Sequence, residues 1–108
     1  MRAPAETLVF KTLADPTRRA LFERLAREGE LTVAALTQRA GVSQPAVSQH
    51  LEALKQAGLV SDRREGRRAH YRATPRGLKP LASWLALYGA FWRERFDRLE
   101  KLLKEMDQ

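Results

Sequence analysis

The sequence predicts a mainly α-helical fold with a small β-hairpin: a winged helix-turn-helix of five to six helices that dimerises through its first and last helices. Three observations predict it. Residues 32–58, TVAALTQRAGVSQPAVSQHLEALKQAG, read as two short helices hinged at Gly41, the second polar along one face and apolar along the other. Residues 59–73 carry two short strand candidates around turn chemistry at Glu65-Gly66. From Pro75 onward, apolar residues recur at spacings of three and four to the end of the chain.

The elements follow in order. Glu6 to Ala14 forms a short amphipathic helix with Leu8, Val9, Phe10 and Leu13 apolar. Asp15-Pro16 breaks it and starts the next, Asp15 as N-cap and Pro16 at the first helical position, with Ala20, Leu21, Leu25 and Ala26 as the buried stripe and Gly29 as the stop. Glu30-Leu31 offers only a stub of strand. Thr32 then caps a helix that turns Val33, Leu36 and Ala40 inward. Ser43 caps the following one, Pro45 falls in its first turn, and Val47, Leu51 and Leu54 face the core until Gly58 closes it.

Gln44, Ser48, Gln49 and Lys55 remain on the outer side of that second helix, where glutamine and serine suit base edges and lysine suits phosphates. The hairpin that follows has Arg63, Arg64, Arg67 and Arg68 flanking its turn. Net charge points the same way. The chain carries +7 overall, and residues 31–77 hold eight basic and three acidic side chains while the flanking segments are nearly balanced.

The last segment is expected to be helical from Pro75 to about residue 107, with Pro80 marking the true first turn because an interior proline would cost about 3 kcal/mol. Leu81, Leu85, Tyr88, Trp92, Phe96, Leu99, Leu103 and Met106 form its seam, widened by Trp84, Leu87, Phe91 and Leu102. A helix of about 28 residues spans roughly 42 Å, more than one small domain can cover. A homodimer interface is therefore expected along Leu85, Tyr88, Trp92, Phe96, Leu99 and Leu103, joined by Leu8, Phe10 and Leu13. The aromatic stretch around Trp84, Tyr88, Phe91 and Trp92 leaves open a pocket for a small apolar effector between subunits, but a filled dimer core is the favoured reading.

The 108 residues are expected to form one domain, with the helix-turn-helix at 32–58, the wing at 59–73 and the dimerisation helix at 75–107. The absence of cysteine excludes disulfides and thiolate metal sites. No stretch is apolar enough to span a membrane, and the start, MRAPAETLVFK, lacks the basic region and apolar block of a leader, so a cytoplasmic location is expected. No Gly-rich phosphate loop, paired nucleophile and base, or metal-ligand spacing appears, which argues against an enzyme and against any cofactor. His50 and His70 stand alone and read as structural. The rival reading is a winged-helix protein-interaction module in which DNA contact is incidental.

The wording of four phrases carries a resemblance: LADPTRRALFERL at 13–25, ELTVAAL at 30–36, SQPAVSQHLEALKQAGLV at 43–60 and RREGRRAHYR at 63–72. In them the chain resembles the ArsR/SmtB family of bacterial winged-helix repressors. That resemblance implies a homodimer binding an inverted-repeat promoter operator in double-stranded DNA and repressing transcription, often of its own operon, until an effector releases it. It implies Gln44, Ser48 and Gln49 in the major groove, with Pro45 in the same turn, Ser43 and Lys55 near phosphates, and Arg67 and Arg68 on the flanking backbone or minor groove. The metal-sensing phrase of the family, similar to ELCVCDLC, reads ELTVAALT here, so Thr32, Ala34 and Thr37 stand where thiolates would be. The last helix has no histidine. A member without a metal site is the expectation.

Overall fold

A computed structural model describes residues 4–107. Met1 to Ala3, the beginning of the stretch read for a leader, and Gln108 lie outside the described residues. Helix α1 (Ala5–Ala14) ends at Asp15, whose extended backbone and side chain open α2 (Pro16–Glu28). Asp15 Oδ1 accepts the amide hydrogens of Thr17 and Arg18 at 2.9 and 3.0 Å, satisfying two donors that the helix itself leaves free. Strand β1 is the pair Leu31–Thr32, and Thr32 also caps α3 (Val33–Thr37) by accepting from the Ala35 amide at 3.1 Å. After the turn through Gly41, Ser43 caps α4 (Gln44–Gln56) by accepting from the Ala46 amide at 3.3 Å.

Gly58 ends α4 with a φ of +77°, a conformation that disfavours any side chain. Its amide donates to Lys55 O and that of Leu59 donates to Leu54 O, each at 3.0 Å. With Leu54 and Leu59 both buried beside this pair of bonds, the ending has the form of a Schellman motif. The chain therefore turns sharply into the hairpin β2 (Val60–Glu65) and β3 (Arg68–Ala73), which are antiparallel with Glu65 opposite Arg68 across the two-residue loop Gly66–Arg67.

Three points depart from the sequence reading. The strand stub lies at Leu31–Thr32 rather than Glu30–Leu31, and it pairs with β3 (Leu31 opposite Tyr71), so the hairpin becomes a three-stranded antiparallel sheet in the order β1-β3-β2. In α2, Ala20 and Ala26 are exposed, and Phe22 joins Leu21 and Leu25 in the core, because the helix presents its Leu21–Phe22 ridge to α4 and β3. The last helix begins not at the bound Pro75 but where the sequence reading set its true first turn, that of Pro80. Residues Pro75–Leu78 form one 3-10 turn, and α5 (Lys79–Met106) starts after it with Pro80 in its first turn, where the missing N–H breaks no bond.

The core gathers Val9, Leu21, Phe22, Leu25, Leu36, Val47, Leu51, Leu54, Leu59, Val60 and Tyr71, and so takes at least one side chain from every element of the body except β1, α5 and the 3-10 turn. Leu13, expected at a dimer surface, is half-buried against this core. Helix α5 has no buried residue. It meets the body through Leu81, which packs on the core, and through α1, where the Phe10 and Trp84 rings stand edge to face at 5.2 Å.

Candidate nucleic-acid interface

Helix α4 is held by its neighbours on one side only. Val47, Leu51 and Leu54, spaced four and three apart, are fully buried, whereas Ser43, Gln44, Pro45, Ser48, Gln49 and Lys55 are exposed. Two polar contacts tie α2 to the helix-turn-helix, one to α4 and one to α3. His50 is half-buried against α2, and its Nδ1 accepts a hydrogen bond from Arg18 Nε at 3.3 Å. Arg24 of α2 donates through Nη1 to Leu36 O at 3.0 Å, satisfying a carbonyl near the end of α3.

Between the first turns of α4, helix α3 and the wing lies a cleft of about 520 Å³, with Gln44 and Ser48 on one wall and Arg64, Arg67 and Arg68 on the other. Among the described residues, these three arginines make no ion pair. The other two cations named from the sequence are engaged. Lys55 Nζ lies 3.1 Å from Asp62 Oδ1, a contact that raises the lysine pKa. Arg63 donates through Nε and Nη2 to both oxygens of Glu30 at 2.9 Å each, and through Nη1 to Glu65 at 3.1 Å. Those bonds push the Arg63 pKa further up, and Arg63 in turn holds the Glu30 carboxyl below its ordinary range. His70 Nε2 lies 3.6 Å from Glu65.

Sequence reasoning did not find Glu30, Asp62, Arg18 or Glu52. Glu30 and Arg18 act through partners distant in the chain, and Asp62 acts through Lys55 across the turn at Gly58, none of which a local pattern announces. Glu52 is an exposed carboxylate one turn beyond Ser48, and its place on the outer face was legible from the same spacing that placed Lys55.

A second surface runs along α5. Leu8 and Phe10 of α1 and Leu85, Tyr88, Trp92, Phe96, Leu99 and Leu103 of α5 are all exposed, from 42% for Phe10 to 63% for Phe96. Trp84, Tyr88, Trp92 and Phe96 line an apolar groove of about 730 Å³ with Gly89 in its wall and Arg93 and Asp97 at one edge. Contiguous apolar area of this extent marks an interaction site on a protein surface. Among the described residues, no three His, Cys, Asp or Glu side chains cluster as a metal site, and no helix is long and apolar enough to cross a membrane.

Residues 13–63 match the helix-turn-helix domain family. An arsenic resistance transcriptional regulator of Pseudomonas putida is 48% identical over 63% of this chain, though the match spans only 53% of that protein's length. The arsenical resistance operon repressor of Escherichia coli is 33% identical over 91% of this chain and 81% of its own. Among solved structures, an ArsR-like transcriptional regulator from Rhodococcus superposes with a TM-score of 0.70 at 32% identity, covering 91% of this chain and 92% of the other. A homodimeric winged helix-turn-helix DNA-binding domain from Mycobacterium bovis gives 0.61 at 33% identity, covering 87% and 83%. The capped helix α4, the arginine wing and these likenesses along most of its length together make the chain a member of the ArsR family of winged helix-turn-helix transcriptional regulators.

Proposed function

We propose that the chain is a cytoplasmic, homodimeric, sequence-specific repressor that binds an inverted-repeat operator in double-stranded DNA and carries no metal site. The observation that carries this reading is the cleft in which the exposed polar face of α4 stands opposite three uncompensated arginines of the wing. Glutamine and serine edges offer base readout, and the arginines offer phosphate neutralisation. Repression is supported by the relative named as an operon repressor, and dimerisation by the homodimeric neighbour and by the exposed apolar face of α1 and α5. The absence of cysteine and of histidine from α5 supports metal independence.

In this reading Gln44, Ser48 and Gln49 enter the major groove from the first turns of α4, with Pro45 beside them and Ser43 near a phosphate. Two copies of α4 then lie about 34 to 36 Å apart on one face of the duplex, so the half-sites are one helical turn apart. The aromatic groove of α5 is filled by the partner subunit in place of a ligand.

Fluorescence anisotropy of the protein with duplex from its own upstream region, against a scrambled duplex and over a range of salt, tests the reading. Selective binding by two protomers with a steep salt dependence supports it. Gln49→Ala should cost on the order of 1 to 3 kcal/mol at one base position and relax preference there, whereas Arg68→Ala should weaken all sequences alike. Equal weak binding to both duplexes, with α5 capturing a different protein, would favour the interaction-module alternative.

A further inference from the structure

Successive side chains of a strand leave by opposite faces. Asp62 and Arg63 are adjacent in β2, and the structure uses the alternation to tie the strand down from both sides. Asp62, opposite the buried Tyr71, reaches Lys55 of α4 at 3.1 Å. Arg63, opposite His70, leaves by the other face and takes both oxygens of Glu30 at 2.9 Å, with Glu65 at 3.1 Å. Glu30 stands immediately before β1, which is bonded to β3, so its carboxylate is anchored to the body of the fold.

We propose that Glu30–Arg63 and Asp62–Lys55 form a two-sided mount that sets the wing's position against the reading helix, and that only Arg64, Arg67 and Arg68 of the wing meet DNA. The mount's purpose rests on the DNA-binding reading above; its geometry does not. β2 is an outer strand hydrogen-bonded to β3 alone, and its tip half from Arg63 onward is exposed. Something other than apolar packing has to fix the angle of that half. Single exposed ion pairs add little stability, but a bidentate guanidinium–carboxylate pair fixes orientation as well as distance. Arg63 would have to surrender three hydrogen bonds to reach a phosphate. Arg64, Arg67 and Arg68 have none to surrender to a carboxylate among the described residues.

Two measurements on the same variants test the mount. In the free protein, backbone nitrogen relaxation at residues 64–68 reads the wing's motion. Arg63→Ala and Glu30→Gln are expected to raise it, and the charge-exchanged pair Glu30→Arg with Arg63→Glu to lower it again. Unchanged motion in both single variants would overturn the proposal. On duplex, Arg63→Ala is expected to weaken binding roughly three- to tenfold, the cost of ordering a loosened element, with the slope of log affinity against log salt unchanged. Arg67→Ala or Arg68→Ala should each reduce that slope by about one. If Arg63→Ala reduces the slope by the same amount and the exchanged pair rescues nothing, Arg63 is itself a phosphate contact and the mount fails. If the parent chain binds no duplex, the DNA reading fails, and wing motion in the free protein still decides whether the mount exists.

Discussion

Asp15 shows how much one side chain settles. Its carboxylate takes the Arg18 and Thr17 amide hydrogens, and these bonds, foremost that of Arg18 and aided by the Arg18 charge, hold its pKa below the ordinary 3.8. Glu28 and Glu30 are lowered from 4.5 in the same sense, by Arg24 and Arg63. A depressed folded pKa means the unfolded chain binds more protons. The stabilisation is then complete above the unfolded pKa and is lost as pH falls through the folded one. The melting temperature is expected to hold down to about pH 5 and to fall below about pH 4. Asp15→Asn keeps a capping oxygen without the charge or the titration, so thermal melts of that variant should start below the parent at pH 7, fall less steeply in acid and converge with the parent there. An equally steep fall would remove Asp15 from the account. The cap itself was legible, because Asp-Pro before a helix is local grammar. The pairing of Glu30 with Arg63 was not, because it depends on which face of a strand meets which turn.

Among the elements, the ends were read better than the faces. Caps at Asp15, Thr32 and Ser43 and the stop at Gly58 were all visible as short-range chemistry. The third strand was read only as a stub one residue early, at Glu30–Leu31, and its pairing with β3 was not foreseen, because two residues have no periodicity to show. The choice of Phe22 over Ala20 and Ala26 depends on the crossing of α2 with its neighbours, which the sequence does not state. Gly77 was missed too. It lies in the 3-10 turn against the end of α4, and a Cβ there would sit 2.1 Å from Gly58 O and 2.8 Å from Gly58 C. The Thr74 amide donates to Leu59 O at 2.8 Å beside it, so the two backbones are held together. Gly77→Ala forces them apart and is expected to cost about 1 to 3 kcal/mol, read as a lower urea midpoint at unchanged slope. A midpoint equal to that of the parent would mean the turn can yield.

For the whole molecule, the sequence anticipated that a helix of this length would outrun its own domain, and the structure agrees that α5 buries none of its residues. The molecule measures 62 × 39 × 20 Å, long and thin for its size. The length of the helix pointed to a second copy as the cover for its aromatic seam, whereas the spacing alone did not, because a seam at spacings of three and four looks the same whether it faces its own core or another copy. Phe96 is 63% exposed, so Phe96→Glu leaves the fold intact. It is expected to yield a monomer in sedimentation equilibrium and to lower affinity for a two-half-site duplex by about a hundredfold or more while sparing affinity for a half-site. A variant that remains dimeric would place the interface elsewhere.

The contact of Gly77 with Gly58 has a further consequence for the proposed dimer. Backbone rests on backbone there, with no side chain between to change rotamer, so the angle between α5 and the reading helix has little give. Each added base pair in a spacer moves one half-site by about 3.4 Å along the axis and about 35° around it. A protein hinged softly at this junction would follow such a shift. In the proposed complex a junction this stiff leaves the bending to the duplex, and tolerance of altered spacing is expected to track the flexibility of the spacer's base steps.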